Sequence, residues 1–289
     1  MTVLLTGAGG QLAYAIQRRM QATGRVVGLT RRELDLRRDA EVLDAVRSVM
    51  PDVIINGAAY NDVDGAEDDP VTALAVNAFA VRSLARAAAA VDATLVHFST
   101  DFVFDGTANQ PYREDMSPNP QSVYAMSKLV GEWFACESKH YVLRVESLFG
   151  GGQQTHADGW PRGSSLDRIA DAILDGREVR AFSDRIVSPS YVDDVADATA
   201  ALLSVSAPFG LYHCVGSGMA TWLEVTTELA ARLDHPARIT PVPMDSVPMR
   251  APRPRFCALS NSKLERLGIV MPTWQDAVIR YAAARRASA

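Results

Sequence analysis

The chain has 289 residues, enough for one large α/β unit or for a domain with a smaller appendage. Its 48% hydrophobic and 22% charged content is that of an ordinary globular protein, and a net charge of −5 provides no electrostatic footprint for nucleic acid or an anionic membrane surface. Cys136, Cys214 and Cys257 are odd in number and widely spaced, so free thiols in a reducing compartment are expected and no metal site is.

Thr2 to Thr6 is a short apolar run that stops at Gly7-Ala-Gly-Gly-Gln-Leu-Ala13, and a helical pattern, Leu12, Ile16 and Met20, follows. Strand, glycine-rich turn and helix in that order form the context in which such a cluster binds phosphate, because the helix N-terminus presents unpaired N–H groups. Gly7 permits the tight turn, Gly10 lets the backbone approach a pyrophosphate, and Ala13 is small enough for the helix to pack on the strand. Arg25 to Thr30 reads as a second strand. At its end the acidic residue that would accept from a ribose 2′-OH is missing. Arg31 and Arg32 stand there, the charge that accommodates a 2′-phosphate, with solvated surface arginines as the alternative. Asp35 and Leu36 fall where a third short strand would end, bordering the adenine.

A helix from Ala40 to Met50 leads to Pro51-Asp-Val-Ile-Ile-Asn56, whose apolar run without alternation suits a strand covered on both faces. Gly57-Ala-Ala-Tyr60 follows, with side chains small enough to let a cofactor lie against the backbone. Val71 to Val91 is strongly helical, and Asn77 in its middle reads as a structural residue bonding a neighbouring backbone group. Thr94 to Thr100 is the next strand, then come Asp101-Phe-Val-Phe-Asp-Gly106, a turn-rich loop, a helix from about Ser122 to Ser138, and a sixth strand, Tyr141 to Val145. Strands alternate with helices, so the expected architecture is α/β, a doubly wound parallel sheet. Ligands of such sheets sit outside the carboxyl ends of the strands, where Gly7, Arg31, Ala58, Thr100 and Val145 fall.

The segment around Tyr124 carries the chemistry. In a helix Tyr124 and Lys128 lie one above the other, which puts a phenol beside an ammonium. A nearby positive charge favours the phenolate and should bring the Tyr pKa toward working pH, as a general acid or base requires. The chain has 29 basic residues, of which Lys128, Lys139 and Lys263 alone are lysines. Chance would place only roughly 0.1 Tyr-x-x-x-Lys pair in a chain of this composition. Lys approaches as a compact point charge where Arg is a planar fork. A hydroxyl at the strand end, Thr100, could hydrogen-bond the same substrate oxygen.

With these residues in view, the chain resembles an extended short-chain dehydrogenase/reductase, and within that group the dTDP-4-dehydrorhamnose reductase branch. The resemblance is carried by Gly7-Ala-Gly-Gly-Gln-Leu, by Pro51 to Tyr60 running on to Val63-Asp-Gly-Ala-Glu67, and by Ser99-Thr-Asp-Phe-Val-Phe-Asp-Gly106. Pro111-Tyr-Arg-Glu114, Val123-Tyr-Ala-Met-Ser-Lys-Leu-Val-Gly-Glu132 and Leu143-Arg144 complete it. It implies a Rossmann-like domain over residues 1–150 and a smaller C-terminal substrate-binding lobe over 151–289, with the segment 183–203 packing back on the first domain. It also implies that Thr100, Tyr124 and Lys128 are the catalytic trio, that Gly10, Gln11, Leu12, Leu36, Ala58, Ala59 and Tyr60 meet the cofactor, and that Asp101 lies near the sugar. The implied reaction is reduction of the keto group of a nucleotide-activated deoxysugar by NADPH, with NADH also admissible.

The second half matches more loosely, through Ser183 to Ser190, a helix from Tyr191 to Leu203, Gly210-Leu-Tyr-His213 and Ala251-Pro-Arg-Pro254, and these are expected in the smaller lobe. After Leu143-Arg144 the branch usually continues Thr-Ser-Trp, whereas this chain has Val145-Glu146-Ser147. The Trp flanks nicotinamide and sugar, so Ser147 points to a different preferred sugar. The loop from Gly150 to Trp160, with His156 read as solvent-exposed, is unusual for the branch, and Arg253 is placed either on a substrate diphosphate or at an ordinary surface position. Three other readings stay open: an epimerase or dehydratase on the same scaffold, a reductase for a non-nucleotide substrate, and a regulatory subunit that keeps the dinucleotide fold, as a methionine adenosyltransferase partner in the branch does. The expected partner is a nucleotide-sugar substrate, with a homodimer compatible and neither nucleic acid nor membrane. No charged leader with an apolar core opens the chain and no run of about 18 apolar residues occurs, so a cytoplasmic location is the default expectation.

Overall fold

The computed structural model describes residues 1–151 and 163–287. Most of the loop Gly150 to Trp160, with His156, lies outside them. Six strands form one parallel sheet: β1 (Thr2–Thr6), β2 (Arg25–Leu29), β3 (Val53–Asn56), β4 (Thr94–Thr100), β5 (His140–Val145) and β6 (Gly210–His213). Their order is β6-β5-β4-β3-β1-β2, so the chain winds outward one way from β1 to β2 and the other way from β3 onward. The switch point lies between β1 and β3, which opens a crevice at their carboxyl ends.

Both sheet faces are covered, which is why the strands read as unbroken apolar runs. Val3, Leu5, Ile55, Val96 and Leu143 face one layer, with Leu12 and Ile16 of α1 (Gln11–Gln21). Leu4, Ile54, Leu95 and Val142 face the other, with Val42 and Val46 of α2 (Asp39–Val49). After α3 (Val63–Asp68) comes α4 (Pro70–Leu74), then a π turn over Ala75–Phe79 and α5 (Ala80–Ala90). By length and composition Pro70–Ala90 is apolar enough to cross a membrane. Here Val81, Leu84, Ala85 and Ala88 bury that apolar face in the sheet core.

α6 (Val123–Ala135) starts at Ser122, whose hydroxyl accepts from Ala125 N at 3.2 Å, and ends three residues before the expected Ser138. α7 (Ser165–Leu174) precedes α8 (Val192–Ser204), whose Val192 and Val195 share the α1 layer and whose Asp197 pairs with Arg19. α9 (Trp222–Leu233), α10 (Ser262–Glu265) and α11 (Trp274–Ala287) follow. Around α7, α9 and α11 a separate apolar cluster forms from Phe149, Leu166, Val225, Leu229, Trp274 and Tyr281.

Two expectations are corrected. No strand ends at Asp35–Leu36, because the chain turns directly after β2. Glu33 accepts from both the amide and the hydroxyl of Thr30 at 2.8 Å, and Leu34 and Leu36 then drop into the core. Tyr141 to Val145 is accordingly in the fifth strand of the sheet, not the sixth. That place belongs to Gly210 to His213, expected in the smaller lobe but hydrogen-bonded to β5 in parallel register.

Candidate active site

At the switch point the glycine turn and the β3 end form one surface. Gly7 has φ +66°, and a Cβ there would stand 2.6 Å from the amide nitrogen of Ala58, so only glycine fits. Gly10 folds back with its N–H on the Gly7 carbonyl at 2.8 Å and caps α1 without a side chain. The first-turn N–H groups of an 11-residue helix therefore face the crevice, an anion site by construction. Buried Gln11 Nε2 has no protein partner. This cradle and its orphaned donor fit the pyrophosphate side of a dinucleotide.

The floor is held from below. Asn56 Oδ1 accepts from the Thr6 hydroxyl at 2.7 Å and from Ala58 N at 3.2 Å. Asn77, in the π turn, accepts from Tyr60 N at 2.8 Å and donates to Tyr60 O at 3.0 Å and to Ser127 Oγ at 2.9 Å. The backbone partner expected for Asn77 is thus Tyr60, beside Ala59 in the expected cofactor floor. Leu12 and Leu36, expected on the cofactor, turn their side chains into the core. Arg31 is exposed after β2, and Asp35 is paired with Arg37 at 2.6 Å, which holds its carboxyl down at about 2.

Tyr124 sits in the first turn of α6 and Lys128 one turn on. The Ser127 hydroxyl donates to the Tyr124 carbonyl at 2.7 Å, and the Phe102 ring meets the phenol edge-on, centroids 5.8 Å apart at 88°. Thr100 ends β4, its hydroxyl donating to Asp101 Oδ1 at 3.0 Å and accepting from Phe102 N at 3.2 Å. The expected effect of Lys128 on the phenol is corrected. Lys128 Nζ donates to the Phe98 carbonyl at 2.6 Å, and burial lowers its own pKa to about 8 against the opposing pull of Glu132. Burial and the Asp101 carboxylate push Tyr124 well above the ordinary phenol value, with the Thr100 hydroxyl acting the other way. Tyr124 is therefore held as the neutral acid, the form that donates a proton.

The far wall was not legible in the sequence as a group. Asp101 is buried, and burial raises its carboxyl to about 6 against the charge of Arg185. Beside it lie Glu146, also buried, and Cys257, the three ligand atoms within 4.8 Å of one another. Arg185 closes the group, its Nη2 3.8 Å from Cys257 Sγ and its guanidinium over the Phe102 ring at 5.4 Å. Asp101 and Glu146 directly follow β4 and β5 and the other two lie in distant loops, so no spacing in the sequence announces them. The donor set does not fit a metal ion, because a guanidinium already supplies the cation. Ser147 follows with φ +44°, partly exposed at the rim. Arg253, expected on a substrate diphosphate or at the surface, holds Asp64 with both terminal nitrogens at 2.9 and 2.7 Å.

Over residues 1–286 the sequence matches the family described as RmlD substrate binding domain. The dTDP-4-dehydrorhamnose reductase of Burkholderia thailandensis is 34% identical over 299 aligned residues, covering 96% of this chain and 97% of that protein. A dTDP-4-dehydrorhamnose reductase from Clostridium acetobutylicum has a TM-score of 0.92 at 29% identity, covering 99% of this chain and 100% of that one. One from Bacillus anthracis, solved in complex with NADP, has a TM-score of 0.89 at 28% identity over 97% of this chain and 98% of its own. A match that runs through both the sheet and the C-terminal cluster decides the assignment: the chain belongs to the RmlD substrate binding domain family.

Proposed function

We propose that this protein is an NADPH-dependent reductase of the 4-keto group of a nucleotide-activated 6-deoxysugar, with Tyr124 as the proton donor. The observation that carries the reading is the placement of Tyr124 in the first turn of α6, one turn from Lys128 and beside Thr100 at the carboxyl end of β4. The nicotinamide supplies the hydride when bound. Tyr124 gives its proton to the alkoxide that forms on the keto oxygen, and the Thr100 hydroxyl orients that oxygen. Lys128 holds the cofactor's ribose, and Gly7, Gly10, Gln11 and the α1 N-terminus hold the pyrophosphate. Asp101 and Ser147 border the sugar, and Arg253 orders the loop around it through Asp64.

Ser147 leaves open the side of the sugar that a Trp would wall, so the preferred sugar differs from dTDP-4-dehydrorhamnose. A panel of nucleotide keto-sugars should show NADPH oxidation with at least one member, slower with the rhamnose precursor. Ser147→Trp should shift the kcat/KM ratio toward that precursor by roughly tenfold or more. If no keto-sugar is reduced in single turnover while NADPH binds tightly, the binding-subunit reading takes over. Wild type faster on the rhamnose precursor than on every other sugar would overturn the specificity.

Cofactor choice tests the arginine at the β2 end. With Arg31 on the 2′-phosphate, NADPH should exceed NADH in kcat/KM, and Arg31→Ala should remove about 1.5–3 kcal/mol of that preference, the range for hydrogen bonds to charged groups. Equal use of the two cofactors by wild type would place Arg31 in solvent.

A further inference from the structure

Glu146 is the buried acid that the reaction above leaves without a task. It follows β5, whose Val145 pairs with Thr100 of β4, so the strand register sets it beside the catalytic strand end. One carboxyl oxygen, Oε2, accepts from Ser188 N at 2.6 Å, while Oε1 is buried with no protein partner. Asp101 repeats the pattern: Oδ1 accepts from Thr100, and Oδ2 is buried and unpartnered. A Glu146 oxygen and an Asp101 oxygen lie within 4.8 Å of each other. Arg185 faces both with its Nε unpartnered, and the Cys257 thiol completes the surroundings. Two buried carboxyls facing one guanidinium disfavour each other's ionisation, which favours retention of one proton by the pair.

We propose that Glu146 is a proton reservoir that resets Tyr124 after each turnover, delivering its proton through Asp101 and the Thr100 hydroxyl. The inference rests on Tyr124 being the donor of the proposed reduction. When Tyr124 has given its proton to the alkoxide, the Thr100 hydroxyl passes its own proton to the phenolate and takes back one that Glu146 hands over through the Asp101 carboxylate. Asp101 is thereby left as the carboxylate it was, and Glu146 regains a proton from water as product leaves. No electron changes hands and each oxygen ends as it began. Burial, and then the Asp101 charge, raise Glu146 well above the ordinary carboxyl range, against the Ser188 amide and the Arg185 charge, which makes it the more basic carboxyl of the pair, with its Oε1 unpartnered. The groups facing the pair from the packed elements are Thr100, Tyr124, Arg185 and Cys257, and Arg185 is the one cation among them. Because Glu146 acts through Asp101 and Thr100, it sets the protonation of the acid without touching substrate.

The test separates single from multiple turnover with a keto-sugar that wild type reduces. Glu146→Gln should keep the single-turnover rate within about threefold, because its Tyr124 starts protonated, while steady-state kcat falls by roughly tenfold or more. Glu146→Asp should restore part of the loss. Equal losses in single and multiple turnover, or none in either, would overturn the reservoir. Should Glu146→Gln fail to fold, wild type alone decides: in D2O its multiple-turnover rate should drop further than its single-turnover rate, and an equal drop counts against the proposal. Failure of wild type to reduce any sugar refutes the reductase reading instead, which no Glu146 variant can mimic.

Discussion

Tyr124→Phe should reduce turnover by roughly 10²–10⁴, the usual worth of a positioned general acid, and leave NADPH affinity close to wild type. The substitution deletes one oxygen and keeps the ring that stands edge-on to Phe102 at 5.8 Å, so the α6 start should not shift. Burial and Asp101 raise the phenol above its ordinary value, and the neighbouring Thr100 hydroxyl is a far weaker acid. Stopped-flow measurement of NADPH oxidation together with cofactor titration checks both halves. A variant retaining more than a tenth of wild-type turnover would assign the proton to another donor.

Glu132→Ala should cost about 3–5 kcal/mol of stability, the penalty for leaving a buried charge without its partner. Arg144 Nε and Nη2 donate to the two Glu132 oxygens at 2.8 and 2.7 Å, with side chains only 3% and 8% exposed. The Ser99 hydroxyl adds a 2.5 Å bond to the same carboxylate. Truncation strands the guanidinium under the sheet end, over the Phe104 ring at 4.9 Å and beside His213. The melting temperature should fall by roughly 10 °C. Replacing both partners, Glu132→Met with Arg144→Met, should recover much of the loss, since an apolar pair removes the unpaired charge. Calorimetry showing less than about 1 kcal/mol for the single variant would contradict the assignment.

The legible parts of the sequence were those fixed by local chemistry. The Gly7 turn, the helix start at Ser122 and the Tyr124–Lys128 spacing each follow from a backbone or periodic requirement that neighbours in sequence satisfy. The strand expected at Asp35–Leu36 is replaced by a turn because Glu33 caps Thr30, a contact three residues apart that the order of elements does not reveal. Gly210 to His213 was misplaced because a four-residue strand carries no sign of which sheet it joins; its partner, β5, lies about seventy residues earlier. The wall of Asp101, Glu146, Arg185 and Cys257 was invisible for the same reason at larger scale, being assembled from separate segments by the fold. The influence of Lys128 on Tyr124 was misjudged because spacing gives proximity along a helix, and the Phe98 carbonyl that captures the ammonium lies on another element.

The asparagine in the π turn has one more effect. By gripping both backbone groups of Tyr60 and the hydroxyl of Ser127, which itself holds the Tyr124 carbonyl, Asn77 ties the segment after β3 and the start of α6 into a single strut. Gly131 tightens the joint, since a Cβ there would strike the Asn77 carbonyl at 2.2 Å. Tyr60 and Tyr124 are thereby fixed relative to one another through a single side chain. In hydrogen exchange the Tyr60 amide should stay protected as long as the sheet itself holds.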